Sequence, residues 1–298
     1  MPAERRGMPP LASQNVRDLL ATAAAWLEEA GVEEGKRNAT LLLAHLLRCR
    51  PEALPFLDPP IDRAFVACFR ELLERRARRE PLQYILGEWD FWDFTIEVSP
   101  EVLIPRPETE VLVERVLSWA KGTDSLPIKA FLDLGTGSGA IALALLRELP
   151  GSRGVAVDIS EGALAVARRN AERLALLPRL TLLLGDLFAP LPSGVRFPLI
   201  VSNPPYVAWE AKSCLQPEIV EHEPHVALFA SRGGLEIIER ILTEAPRRLL
   251  SGGGLFIEIG EDQAAAVEAF ARQTGKFRTI DIHEDLAGRP RIFAAVRE

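Results

Sequence analysis

Four consecutive residues set the chemical question. Asn203, Pro204, Pro205 and Tyr206 directly follow an apolar run ending Ile200-Val201-Ser202. Two successive prolines fix the backbone and remove two amide donors. The corner can therefore present the Asn203 side-chain oxygen and the Pro204 carbonyl as paired acceptors for both hydrogens of a planar NH₂ group. The nitrogen of a carboxamide or an aromatic amine is a poor nucleophile, because its lone pair is delocalised and no ordinary side chain deprotonates it beforehand. Two acceptors favour partial loss of planarity and leave the lone pair aimed at an electrophile. With Tyr206 stacked on the planar group and walling off water, the suited reaction is direct displacement at an activated methyl, helped by alignment and transition-state electrostatics. The proton leaves late, once positive charge has developed on nitrogen. The motif alone does not choose between adenine, cytosine and a glutamine side chain.

A second constellation concerns the methyl source. Residues 131–139 read FLDLGTGSG: an apolar strand ends at Leu134, and Gly135, Gly137 and Gly139 follow at alternate positions before a helical pattern. Such glycines allow unusual dihedrals and close approach of a ligand to the backbone. The spacing is not the G-x-G-x-x-G of a dinucleotide site. Asp133 would repel a pyrophosphate but suits a cation, which S-adenosyl-L-methionine is at both its ammonium and its sulfonium. Asp133 acts on it directly, or through the loop or a water. Asp158 ends the next strand and is placed for the ribose hydroxyls. Asp186 ends the one after and is placed for the adenine amino group, with Leu187 or Phe188 covering the ring.

These residues need a framework. After residue 105, seven short apolar strands (in FLDLG, GVAVD, TLLLGD, PLIVSN, GGLFIEIG, KFRTIDI and RIFAAV) alternate largely with helical patterns, which predicts an α/β domain with a mostly parallel sheet covered on both faces. Ligands of such sheets sit at the carboxyl ends of the strands. The short loop between the last two strands permits a reversed edge strand. Residues 14–29 place Val16, Leu19, Leu20, Ala23 and Leu27 on one helical face, residues 36–48 carry a second apolar stripe, Asp58-Pro59-Pro60 breaks the chain, and residues 61–79 form a third helix. The latter ends in an arginine-rich run, read as a solvated face or as a docking surface for an acidic partner. Aromatic and β-branched residues over 88–104 suggest a hairpin, with Trp89, Phe91, Trp92 and Phe94 filling a junction. The division is thus 1–85 helical domain, 86–105 hairpin linker and 106–298 catalytic domain, with residues 1–10 as a loose tail.

The 298-residue chain has a formal net charge of −7 and a pI of about 5.4, which argues against nucleic acid as the main substrate. Three scattered cysteines, Cys49, Cys68 and Cys214, support neither a disulfide framework nor a four-thiolate metal site. No secretion signal or membrane-spanning run is evident, and a cytoplasmic location is expected. His222, Glu223 and His225 are interrupted by Pro224, so no metal is expected there. His45 reads as a core or boundary residue. No serine sits in a nucleophile elbow.

The sequence also resembles, from about residue 12 to its end, the bacterial and organellar protein-(glutamine-N5) methyltransferases that modify peptide chain release factors. Residues 80–87, EPLQYILG, and 104–110, IPRPETE, carry the likeness, with SNPPY at 202–206, EPHVALF at 223–229, GGLE at 233–236, EIG at 258–260 and DLAGRPR at 285–291. SNPPY is shared with nucleic-acid amino-methyltransferases; its pairing with IPRPETE is specific. The resemblance implies a class I methyltransferase, Rossmann-like fold and S-adenosyl-L-methionine as donor. It implies a release factor as partner, whose Gly-Gly-Gln glutamine enters at the sheet's carboxyl edge, with the helical domain and hairpin cradling that partner. Asp133, Gly135, Thr136, Gly137, Gly139, Asp158, Asp186, Leu187, Phe188 and Asn203 would surround the donor. Asn203, Pro204, Pro205 and Tyr206 would hold the glutamine amide, and Arg106, Pro107 and Glu108 would sit near the entrance. Neither stable nucleic-acid binding nor a membrane is expected. Glu110 is read either as near the entrance or as capping or pairing within the first helix of the catalytic domain, and Glu223 fits the family's EP pattern and is read as shaping the pocket, with no further role fixed at this level. Asp93 stands where the family's hairpin usually carries glycine, and the turn is expected to survive because aspartate tolerates turn dihedrals. Two alternatives remain: an adenine-N6 methyltransferase, which needs a base-flipping pocket and a basic track, and a non-catalytic binding module of the same fold.

Overall fold

The computed structural model describes residues 15–57, 59–122 and 126–298. The expected loose tail over 1–10, Gln14 at the head of the first helical pattern, and Asp58 lie outside the described residues. The chain divides into two compact units, one of residues 1–87 with 216–222 and the other of 88–215 with 223–298. The hairpin therefore belongs to the second unit, and a short stretch late in the sequence belongs to the first.

The first unit is helical. Helices α1 (Val16–Glu29), α2 (Gly35–Leu47), α3 (Arg63–Ala77) and α4 (Leu82–Leu86) bury Leu19, Leu27, Leu42, Leu43, Phe69 and Leu73 together, the faces that helical periodicity selects. The Asn15 side chain caps α1 by accepting from the Asp18 amide at 2.9 Å. The arginine-rich end of α3 is neither a solvated face nor a free docking surface. Arg75 donates to Glu80, and Arg76 is buried and donates to Asn38 and, at 2.8 Å, to Glu218; Arg79 donates to Glu218 at 2.6 Å. Burial raises the Glu218 carboxyl, but the two guanidiniums outweigh it and hold it below the usual range. Periodicity could not reveal this, because Glu218 lies far along the chain. His45 is exposed on α2, not a core or boundary residue.

The second unit opens with the hairpin β1 (Glu88–Phe91) and β2 (Phe94–Glu97), in register Phe91 opposite Phe94. The left-handed residue of its two-residue turn is Trp92 (φ 59°), not Asp93. An aromatic residue is strained there, and three contacts hold the turn: the Trp92 amide donates to Glu110 at 2.8 Å, its indole donates to Glu148 at 2.9 Å, and Asp93 accepts from Arg147. Glu110 thereby acquires a structural role.

Beyond it lie α5 (Pro107–Lys121), β3 (Ala130–Leu134), α6 (Ala140–Glu148), β4 (Arg153–Asp158), α7 (Glu161–Arg173), β5 (Leu180–Leu184) and β6 (Phe197–Ser202). The short pair β7 (Val207–Ala208) and β8 (Phe229–Ala230) is separated by α8 (Pro217–His222), which is the first unit's late stretch, and α9 (His225–Leu228). Then come α10 (Glu236–Arg248), β9 (Leu249–Glu258), α11 (Ala264–Thr274), β10 (Phe277–Glu284) and β11 (Pro290–Arg297). Seven strands form one sheet in the order β10-β11-β9-β6-β3-β4-β5. Its pairs are parallel from β9 to β5 and antiparallel on both sides of β11. The reversed strand is β11, one in from the edge, and β10 forms the edge. Every residue of β6 is buried, as the continuous apolar runs of a doubly covered parallel sheet require. The register sets Leu134 beside both Val157 and Ser202, Asp158 beside Leu184, and Ser202 beside Ile257. Gly135, Asp158, Asn203 and Glu258 therefore stand along one rim, on strands about 4.8 Å apart.

Candidate active site

A cavity opens at this rim within the second unit. Gly135, Thr136, Gly137, Asp158, Asp186, Leu187, Asn203 and Pro205 line it, as do Pro105, Thr109, Ile159, Ile237 and Arg240. Gly135 and Gly137 both have positive φ, and a Cβ on Gly137 would meet nothing within 4 Å. The loop thus offers bare backbone to whatever occupies the cavity. Gly139 differs: a Cβ there would press on Ala167 and Leu143 at 3.3 Å, so this glycine serves helix packing at the start of α6.

Asp133 is wholly buried and does not line the cavity. Its carboxylate accepts from the Thr136 hydroxyl at 2.6 Å, while its Oδ1 has no partner. Burial pushes this carboxyl up to about 7, with the Thr136 bond opposing and the neighbouring Asp158 adding to the rise. Asp158 accepts from the backbone amides of Gly137 and Ser160 at 2.8 and 2.9 Å, and burial raises it as well. Asp186 accepts from Arg240 at 2.6 Å across the rim. Two carboxylates on the wall, Asp158 and Asp186, above the buried Asp133, make an acceptor-rich, acidic lining that fits a cationic ligand. Of the two candidates for covering an aromatic ring, Leu187 reaches the cavity, whereas Phe188 is buried in the core.

The acceptor corner is held from behind. Asn203 Nδ2 donates to Thr109 Oγ1 at 3.0 Å, Thr109 donates to Glu258 Oε2 at 2.7 Å, and Tyr206 donates to Glu258 Oε1 at 3.1 Å. Tyr206 is not part of the cavity wall. Its ring packs against the core, and burial first, then Glu258, push its phenol well above its ordinary value. Its carbonyl accepts from Gln263 Nε2 at 2.8 Å. Pro204 is buried and also off the wall. Arg106, Pro107 and Glu108 do not line the cavity; Pro105, ahead of the helix cap, and Thr109, in the first turn of α5, do. Arg106 instead donates to the buried Glu223, which also accepts from the Ile104 amide at 3.2 Å, so Glu223 shapes the 104–106 segment. His225 joins Trp209 and Phe229 in an aromatic cluster.

The rim, glycine loop and amide corner together define an α/β methyltransferase. Comparison with known proteins narrows this. The PrmC N-terminal domain matches residues 18–87, and the Methyltransferase small domain matches residues 109–227. The release factor glutamine methyltransferase of Cereibacter sphaeroides is 41% identical, aligning over 93% of this chain and 97% of its own length. That of Vibrio cholerae is 41% identical over 94% and 96%, and the human MTRF1L release factor glutamine methyltransferase is 38% identical over 95% and 88%. Among solved structures, the human Mettl16 catalytic domain in complex with the MAT2A 3'UTR hairpin 1 has a TM-score of 0.57 at 22% identity, covering 76% of this chain and 80% of that one. The T. thermophilus 16S rRNA N2 G1207 methyltransferase RsmC has a TM-score of 0.52 at 20% identity, covering 71% and 50%. These two likenesses speak to the fold alone. The chain belongs to the release factor glutamine methyltransferase family. It is an S-adenosyl-L-methionine-dependent methyltransferase.

Proposed function

We propose that this enzyme methylates the side-chain amide nitrogen of the glutamine in the Gly-Gly-Gln segment of a peptide chain release factor. Relatives named release factor glutamine methyltransferase align over almost their whole length, and the seven-stranded sheet is read as the class I, Rossmann-like arrangement. The observation that carries the mechanism is the Asn203 amide, tied back through Nδ2 to Thr109, which leaves Oδ1 as the acceptor offered to the cavity.

The donor, when bound, supplies a methyl group on a positively charged sulfur. The chain's own residues supply the rest. Asn203 Oδ1 and the Pro204 carbonyl accept the two amide hydrogens and turn the nitrogen lone pair toward the methyl. As positive charge develops on nitrogen, both acceptors bind it more strongly than they bind the neutral amide, which lowers the barrier selectively. Gly135, Thr136 and Gly137 present backbone to the donor, and Asp158 and Asp186 accept from its hydroxyl and amino groups, Asp186 by exchanging Arg240. Tyr206 anchors the corner from the core side rather than stacking on the amide. Arg106, Pro107 and Glu108 stand at the entrance, where Glu223 holds Arg106. The reaction is assigned to the cytoplasm.

Asn203→Ala tests this reading. Turnover on a purified release factor should fall about 10²- to 10³-fold, the scale of losing a preorganised acceptor, while calorimetry finds donor affinity within about threefold of the parent. Undiminished turnover would remove Asn203 from the mechanism.

A further inference from the structure

Glu258 ends β9, is fully buried, and touches neither the cavity nor solvent. Burial pushes its carboxyl upward, while the Thr109 and Tyr206 hydroxyls and the guanidinium of Arg291 oppose that rise. An isolated carboxylate is costly in such a place, and its contacts indicate what it does. A hydroxyl has one proton to give. Thr109 gives its proton to Glu258 Oε2 at 2.7 Å, so the same oxygen can meet Asn203 only as an acceptor, and it takes Nδ2 at 3.0 Å. The two ends of an asparagine amide are chemically opposite, so fixing one end assigns the other. Tyr206 makes the second donation, to Oε1 at 3.1 Å, so both oxygens of the carboxylate act as acceptors.

We infer that Glu258, acting through the Thr109 hydroxyl, is a positioning residue that locks the Asn203 amide with its oxygen toward the substrate. The inference rests on Asn203 Oδ1 being the substrate acceptor. Were the Thr109 proton released from Glu258, it could point at Asn203. The amide would then turn its oxygen to Thr109 and present NH₂ to an incoming NH₂, two donors face to face. A carboxylate, which only accepts, forbids that arrangement. A glutamine at 258 has a donating end and permits it. Three elements distant in sequence, the start of α5, the end of β6 and the end of β9, thus specify one rotation of one amide.

The test compares Thr109→Val, Thr109→Ser and Glu258→Gln, with Asn203→Ala alongside. It follows methyl transfer to a purified full-length release factor for kcat and KM, and donor affinity by calorimetry in the absence of the release factor. Thr109→Val keeps the shape and removes the hydroxyl; kcat should fall at least tenfold with donor Kd within threefold of the parent. Thr109→Ser restores the hydroxyl and should return kcat to within threefold. Glu258→Gln should lower kcat about tenfold, again with donor Kd preserved, and combining it with Thr109→Val should give no more than threefold further loss, since both act on one contact. Parent-like kcat in Thr109→Val or in Glu258→Gln overturns the inference. So does a serine variant as impaired as the valine one, or losses that multiply in the double variant. If Asn203→Ala is inactive while Thr109→Val is not, only the positioning role fails. If Asn203→Ala retains turnover, the acceptor reading fails and takes this inference with it.

Discussion

Asp133 is a carboxylate buried without full hydrogen bonding, and its titration should be visible in the stability of the donor-free protein. Its folded-state value of about 7 lies above the ordinary 3.8. The folded state therefore binds the proton more tightly than the unfolded chain, and this contribution to stability is complete below about pH 4 and lost as pH rises toward about 7. Thermal melts of the donor-free enzyme should show a fall between about pH 4 and about pH 7 that is smaller in Asp133→Asn, whose side-chain oxygen still accepts from Thr136. Equal pH dependence in the two proteins would contradict the assigned environment. At this scale much was legible in the sequence. The glycine loop, Asp158, Asp186, Leu187 and Asn203 were named from type and position at strand ends, and they meet at one cavity. What escaped was direction. Phe188 turns into the core beside Leu187, and Tyr206 is drawn inward by Glu258, a partner 52 residues away in sequence. Thr109 carries no signal of its own in the sequence: its place in the site comes from Asn203 and Glu258, which lie 94 and 149 residues further along the chain.

The elements around the amide corner are held by backbone as much as by side chains. Gly234, at φ 84°, lies where a Cβ would approach the Tyr206 carbonyl oxygen to 2.0 Å, and Gln263 clamps the same carbonyl while accepting from the Gly260 amide. Gly234→Ala combines that collision with a left-handed conformation that costs a residue with a Cβ about 1–2 kcal/mol. It should lower the melting temperature and reduce kcat at least tenfold, through displacement of the corner, with a smaller effect on donor affinity. A variant matching the parent in both would show that the corner does not depend on this approach. Seven strands and the hairpin were readable from alternation and apolar runs. The position of the reversed strand was not, because two strands joined by a short loop pair in the same way whichever of them forms the edge. The hairpin turn forms with Asp93 in it, as expected, but its left-handed residue is Trp92, and the contacts that hold Trp92 in that conformation come from α5 and α6, out of reach of a local reading.

For the molecule as a whole, charge and connectivity matter more than any single contact. A net charge of −7, with the arginines at the end of α3 spent on Glu80 and Glu218, offers little to a phosphate backbone. Titration with duplex DNA and with structured RNA at low salt should give no salt-sensitive binding in the micromolar range; tight binding with a steep salt slope would favour a nucleic-acid substrate. Among the described residues, no helix is long and apolar enough to cross a membrane. The placement of residues 216–222 in the helical unit is illegible in the sequence: they lie about 140 positions beyond Arg76 and Arg79, which donate to Glu218. Everything proposed for the Asn203 corner requires the methyl acceptor to be a glutamine amide. Incubation with methyl-labelled S-adenosyl-L-methionine and a full-length release factor, beside the same factor with its Gly-Gly-Gln glutamine changed to alanine, tests it directly. Label on the first factor and none on the second is the predicted result. Label on both would place the methyl elsewhere in the protein, and label on neither, with transfer to RNA or DNA under the same conditions, would contradict the account.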